Sequence, residues 1–138
     1  LGILASADTE LIAAMKKDVS IWNINSFGEF YLQIAEKYNK DYRDSLVKIK
    51  KARSKFTGEL SRIPALPVIP SQANYVMVEI TSGTSAKKLT MSLLKDRLFI
   101  KDLSSKIKIG NRQFVRLAVR SESDNKRFVA TLKNIFRI

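Results

Sequence analysis

The sequence contains no cysteine and no histidine. The first absence excludes disulfides and thiol catalysis. The second removes Ser–His and Cys–His pairs, zinc fingers and most transition-metal centres. Glycine and proline together hold only eight of 138 positions while apolar residues make up 45 %, so the chain has the material for one folded core and not for global disorder. No stretch approaches the ~18 consecutive apolar residues that a membrane-spanning helix needs. The opening residues show no basic-then-apolar leader pattern, and a cytoplasmic protein without a membrane partner is the expectation. The chain starts without methionine inside the apolar run "LGILA", which leads us to expect a piece of a longer protein.

Acidic residues are also few. Thirteen Asp and Glu stand against 25 Lys and Arg, a net charge of +12. Such a balance can mark a nucleic-acid binder. The basic residues are densest from Lys40 to Arg62, around "VKIKKARSK". Their spacing fits the wet face of a helix, and Tyr42 and Phe56 fall on the apolar stripe of that helix rather than in a base-stacking platform. A solvated face is the simpler reading. A basic α+β nucleic-acid-binding module is the alternative.

Along the chain, residues 1–5 read as a strand buried on both faces. Asp8 is placed to cap a helix with Leu11, Ile12 and Met15 on one stripe. Ser26 and Glu29 have capping-box spacing. From there apolar residues recur at helical intervals through Tyr38, and again from Leu46 to Leu60. The pause at "YNKD", where Asp41 can cap, favours two helices or one kinked helix over a single long one. "RIPALPVIP" cannot be helix interior and suits an extended connector with an edge strand at 68–69. Strands are expected at 74–80, 98–101 and 114–119, and a turn at Gly110–Asn111. Capped amphipathic helices are expected in "SGTSAKKLTMSLLKDR", with Ala86, Leu89 and Leu93 inward, and after Ser121, with Phe128, Leu132, Ile135 and Phe136 inward. The fold class is α+β: a small, mostly antiparallel sheet with helices on one face, preceded by a long helix, kinked or broken.

Alternation along 114–119 raises one question. Val115, Leu117 and Val119 point to one side and Phe114, Arg116 and Ala118 to the other. The first set should face the helices. Arg116 then stands on the opposite face, either as an ordinary charge in water or as a cation aimed at an anion brought by another domain. A carboxylate suits the planar guanidinium fork.

The segments "LGILASADTELIAAM", "WNINS", "PSQANYVMVEI", "LFIKDLSSK" and "FVRLAVRSESDNKRFVATL" resemble, in order and over nearly the whole chain, the C-terminal part of fold-type-I pyridoxal-phosphate-dependent aminotransferases of class I/II. The resemblance is strongest to the branch with histidinol-phosphate aminotransferase and threonine-phosphate decarboxylase. It implies that Arg116 binds the substrate α-carboxylate. It places Lys101 where phosphate-substrate members carry a second arginine; a lysine there keeps the charge and loses the fork. It places Asn23 and Asn25 in the entry to the interdomain helix, where a turn and helix-entry role competes with substrate contact. Asn74 is set either to line the cleft or to bond the backbone at the strand start. Arg120 matches a second family arginine, for which a surface role or a salt bridge is the simpler reading.

The same resemblance implies what this stretch does not supply. The lysine that forms a Schiff base with pyridoxal phosphate, its acidic partner and the phosphate cradle belong to segments upstream in the family. Residues 1–24 are then the tail end of a large cofactor-binding domain and 25–138 the small C-terminal domain. That domain closes over the active site, positioning an amino acid or amino-acid phosphate for exchange with a 2-oxo acid, in a homodimer without nucleic acid. The 138 residues alone are expected to be inactive and to hold no cofactor.

Overall fold

The computed structural model describes residues 4–20 and 23–138. In chain order the elements are α1 (Thr9–Asp18), α2 (Ser26–Ala35), α3 (Asn39–Leu60), β1 (Val68–Ile69), β2 (Tyr75–Ile80), α4 (Ala86–Lys95), β3 (Lys101–Asp102), β4 (Gln113–Ala118) and α5 (Glu122–Phe136). They divide into two units, residues 1–43 and 44–138.

In the first unit local chemistry sets the helix ends. Asp8 Oδ1 accepts from the Leu11 N–H at 2.9 Å and caps α1 as expected. At α2 the cap is Asn25, not Ser26: Asn25 Oδ1 accepts from the Gly28 N–H at 2.9 Å. Asparagine caps as well as serine, so the residue one position earlier takes the role. α2 and α3 are separate helices. Between them, i→i+3 bonds from the Tyr38 N–H to Ala35 and from the Asn39 N–H to Glu36 tighten the chain into a turn, and α3 begins two residues before Asp41. No described residue before Phe56 is buried. The apolar stripes are formed but uncovered: Phe27 is 87 % exposed, and Leu11, Met15, Phe30 and Tyr31 are exposed too. Residues 1–3 of the expected first strand lie outside the described residues; Leu4 and Ala5 are exposed and in no strand.

The second unit holds a four-stranded sheet in the order β1-β2-β4-β3, antiparallel at every junction. Alternation works as the period-two pattern demands. Val76, Val78 and Ile80 of β2 and Val115 and Leu117 of β4 are buried, and they pack with Phe56 and Leu60 of α3, Leu89 and Leu93 of α4 and Val129 and Leu132 of α5. The rings of Phe56 and Phe128 meet edge to face at 5.9 Å, so Phe56 belongs to the core and the lysines of α3 form its wet side. Ser85 and Ser121 cap α4 and α5 through the N–H groups of Lys88 and Asp124. The expected turn is present, with Gly110 at φ +53°, a left-handed conformation that glycine adopts without Cβ strain.

Two expectations need correction. The strand expected at 98–101 pairs only at Lys101–Asp102. Arg97 takes a left-handed conformation (φ 57°), and the Leu98 N–H bonds back to the Leu93 carbonyl. Leu98 and Ile100 therefore pack against the core without joining the ladder. On α5 the buried set includes Asn125 and Val129 as well as Leu132. Asn125 is a satisfied buried polar group: its Oδ1 accepts from the Arg120 N–H at 3.0 Å and its Nδ2 donates to the Arg120 carbonyl at 2.9 Å. It locks the chain between β4 and α5.

Glu122 ties α5 to α3. It accepts from Lys55 at 2.6 Å and pairs with Lys126 at 3.0 Å. The Lys55 hydrogen bond, helped by Lys126, draws its carboxyl down to about 2. The folded value lies below the unfolded one of about 4.3, so the contribution is complete above that pH and is lost as pH falls towards 2. Glu122→Gln should lower the urea midpoint modestly at pH 7, since these groups are exposed. The difference from the parent chain should close near pH 2; a gap of unchanged size there would show that the ion pair is not its source.

Candidate functional site

Arg116 sits in the middle of β4 on the sheet face away from the helices. Its register partners are Met77 on β2 and Lys101 on β3, so Lys101 and Arg116 are directly opposed cross-strand neighbours. Like charges so placed destabilise a sheet. Both side chains are exposed.

The arginines before and after it along the chain behave differently. Arg112 grips Glu79 with two bonds, Nε at 2.8 Å and Nη2 at 2.6 Å. That hydrogen bond and the paired charge hold the Glu79 carboxyl below the usual carboxylate range. Arg112 also lies over the Phe114 ring at 5.0 Å, and Phe114 is buried on this face. Arg120 donates to Asp124 at 3.1 Å, which is the salt bridge expected of it. Arg116, between them, makes no hydrogen bond and no ion pair among the described residues. Its guanidinium carbon rests 5.0 Å from the centre of the Tyr75 ring. This contact is to the ring and uses no hydrogen bond, so the five N–H donors of the guanidinium have no partner among the described residues. A fork with open donors beside an ammonium group is suited to an anion, bidentate at the fork and with a second negative group at the lysine.

Of the residues expected in the site, the structure brings Lys101 and Arg116 together. Asn25 and Asn23 lie in the first unit; the side chain of Asn25 is engaged as the α2 cap, and Asn23 is exposed. Asn74 uses its backbone carbonyl to accept from the Val119 N–H at 2.9 Å, and its side chain is exposed. Tyr75 escaped sequence reasoning. Period two puts it on the face of Met77 and Glu79, but only the β2–β4 register carries its ring under Arg116.

Every lysine is exposed except Lys133, which is half-buried on α5. Among the described residues no group of three carboxylates could hold a metal ion, and no helix is long and apolar enough to cross a membrane.

The family model of aminotransferase class I and II matches residues 1–132. The chain belongs to that family. Among curated relatives, the CMP-5'-(3-aminopropyl)phosphonate synthase of Streptomyces rubellomurinus is 32 % identical over 136 residues, covering 98 % of this chain and 22 % of that protein. The L-serine phosphate decarboxylase of Sulfurospirillum multivorans is 29 % identical over 96 % of this chain and 34 % of its own length. Among solved structures, the histidinol-phosphate aminotransferase of Clostridium acetobutylicum superposes with a TM-score of 0.80 at 32 % identity, over 93 % of this chain and 38 % of that one. The expected branch thus stands, with a threonine-phosphate decarboxylase also among the relatives. The antiparallel α+β sheet of this aminotransferase-family chain agrees with those neighbours. The chain spans about a fifth to two fifths of the length of the proteins it matches.

Proposed function

We propose that this chain is the small C-terminal domain of a pyridoxal-phosphate-dependent aminotransferase or decarboxylase, and that Arg116 receives the α-carboxylate of the amino-acid substrate. The observation that carries the reading is that Arg112 and Arg120 are each paired with an acid while Arg116, in contact with the Tyr75 ring, has no acid partner among the described residues. Residues 1–24 are read as the end of the large domain and 25–138 as the small one. The uncovered apolar side chains of the first unit suit burial against the rest of such an enzyme, as a cytoplasmic homodimer. The cofactor, held by the complete enzyme, supplies the electron sink. The residues of this chain bind and orient the substrate, with Asn23 and Asn25 at the helix entry, and the amino group is exchanged with a 2-oxo acid where the enzyme transaminates. No Schiff-base lysine is assigned here, so the isolated chain is read as inactive and free of cofactor.

Lys101, opposite Arg116, is read as the partner of a second anionic group, which makes an amino-acid phosphate the favoured substrate class. Two of the relatives are named for such substrates, L-serine phosphate and threonine phosphate. Lys101→Ala in the complete enzyme should raise KM for the phosphorylated amino acid by about tenfold, the scale of one lost charge-assisted hydrogen bond. KM for the unphosphorylated analogue should change little. An equal rise for both would remove Lys101 from the phosphate side.

A further inference from the structure

Among the described residues Arg116 makes a ring contact with Tyr75 and no hydrogen bond, and Tyr75 follows a loop that is itself held in place. The loop that precedes it, residues 71–74, is bonded at each residue. Arg53 on α3 reaches across with Nη1 to the carbonyls of Gln72 and Ala73, both at 2.8 Å, and with Nη2 to Gln72 Oε1 at 3.3 Å. Ser71 Oγ donates to the Tyr75 carbonyl at 2.6 Å and accepts from the Ala73 N–H at 3.1 Å. The Asn74 carbonyl accepts from the Val119 N–H at 2.9 Å, at the end of β4. An exposed loop of this kind is ordinarily mobile; this one is anchored to a helix, to itself and to the strand beside Arg116.

The two ways of holding a cation on this face differ in consequence. Glu79 holds Arg112 by its donors, which are then used up. Tyr75 holds Arg116 through a ring contact, which confines a long, rotamer-rich side chain and consumes no donor. An incoming carboxylate then meets a fork already placed, and less ordering has to be done on binding.

We propose that Tyr75 is a positioning residue for Arg116 and that Arg53, through the 71–74 loop, sets where Tyr75 stands; the proposal rests on the carboxylate-binding reading of Arg116. The test is steady-state kinetics of the complete enzyme with its amino-acid substrate, for Tyr75→Ala, Tyr75→Phe, Arg53→Met and Arg116→Ala, singly and in pairs. Tyr75→Ala should raise KM about tenfold, the upper range for a stacked cation, with kcat within about twofold. Tyr75→Phe, which keeps the ring, should restore KM. Adding Tyr75→Ala to Arg116→Ala should cost nothing further, because Tyr75 acts through the arginine. Arg53→Met should raise KM severalfold alone and not at all in the Tyr75→Ala background. If Arg116→Ala raises KM and Tyr75→Ala does not, the positioning role is overturned and carboxylate binding stands. If Tyr75→Ala raises KM equally with and without Arg116, the tyrosine acts directly and the proposal fails. If Arg116→Ala leaves KM unchanged, carboxylate binding fails first and positioning with it. An Arg53→Met effect of equal size in both backgrounds overturns the role of Arg53.

Discussion

Replacing Arg116 by alanine in the complete enzyme is expected to lower kcat/KM for the amino-acid substrate by about 30- to 1000-fold. The figure follows from the ~2–4 kcal/mol that truncating one partner of a desolvated, hydrogen-bonded charge pair costs, at 1.4 kcal/mol per factor of ten. The loss should fall mainly on KM, since the carboxylate proposed to pair with the guanidinium is already charged in the ground state. Arg116→Lys should fall between, because a lysine restores the charge without the fork. The same substitution should leave folding almost untouched, within about 0.5 kcal/mol, as for other exposed positions. It also relieves the like-charge contact with Lys101. Activity and stability therefore separate. A variant that loses turnover and also unfolds would make Arg116 a structural residue, and one that loses neither would leave this face without a substrate role.

Leu60→Ala is expected to have the largest effect on stability. Leu60 is the last residue of α3 and is completely buried, in a cluster with residues of the sheet, α4 and α5. Removing its isobutyl group loses transfer free energy and leaves a cavity, together about 2–5 kcal/mol, a large share of the ~5–15 kcal/mol that a domain has. Leu46→Ala on the same helix is the control. Leu46 is 46 % exposed, and its loss should cost less than about 1 kcal/mol. Denaturant midpoints of the two variants measure the difference. Equal midpoints would mean that the C-terminal end of α3 is not part of the core.

Most of the elements were legible because their causes are local. Asp8 and Ser121 each satisfy an N–H three residues ahead, and the burial of α4 follows from three apolar positions spaced for one helical face. Where local signals competed, the reading slipped. Asn25 outbid Ser26 as a cap. The left-handed Arg97 carried residues 98–100 out of the ladder, and nothing in "RLFIK" announces that conformation. Asn125 is absent from the inward residues expected on α5 because a polar side chain is normally wet; its two bonds to Arg120 are formed across a bend that the sequence does not display.

The candidate site divides in the same way. Sequence alone determined that Arg116 lies on the face opposite Val115 and Leu117, because side chains in a strand alternate with a period of two, and segment order determined the family. Only the tertiary structure decided that Lys101 stands across from Arg116, that Tyr75 lies under it, and that Arg112 and Arg120 are neutralised while Arg116 is not. Those facts depend on strand order and register, which are set by the packing of residues far apart in the chain.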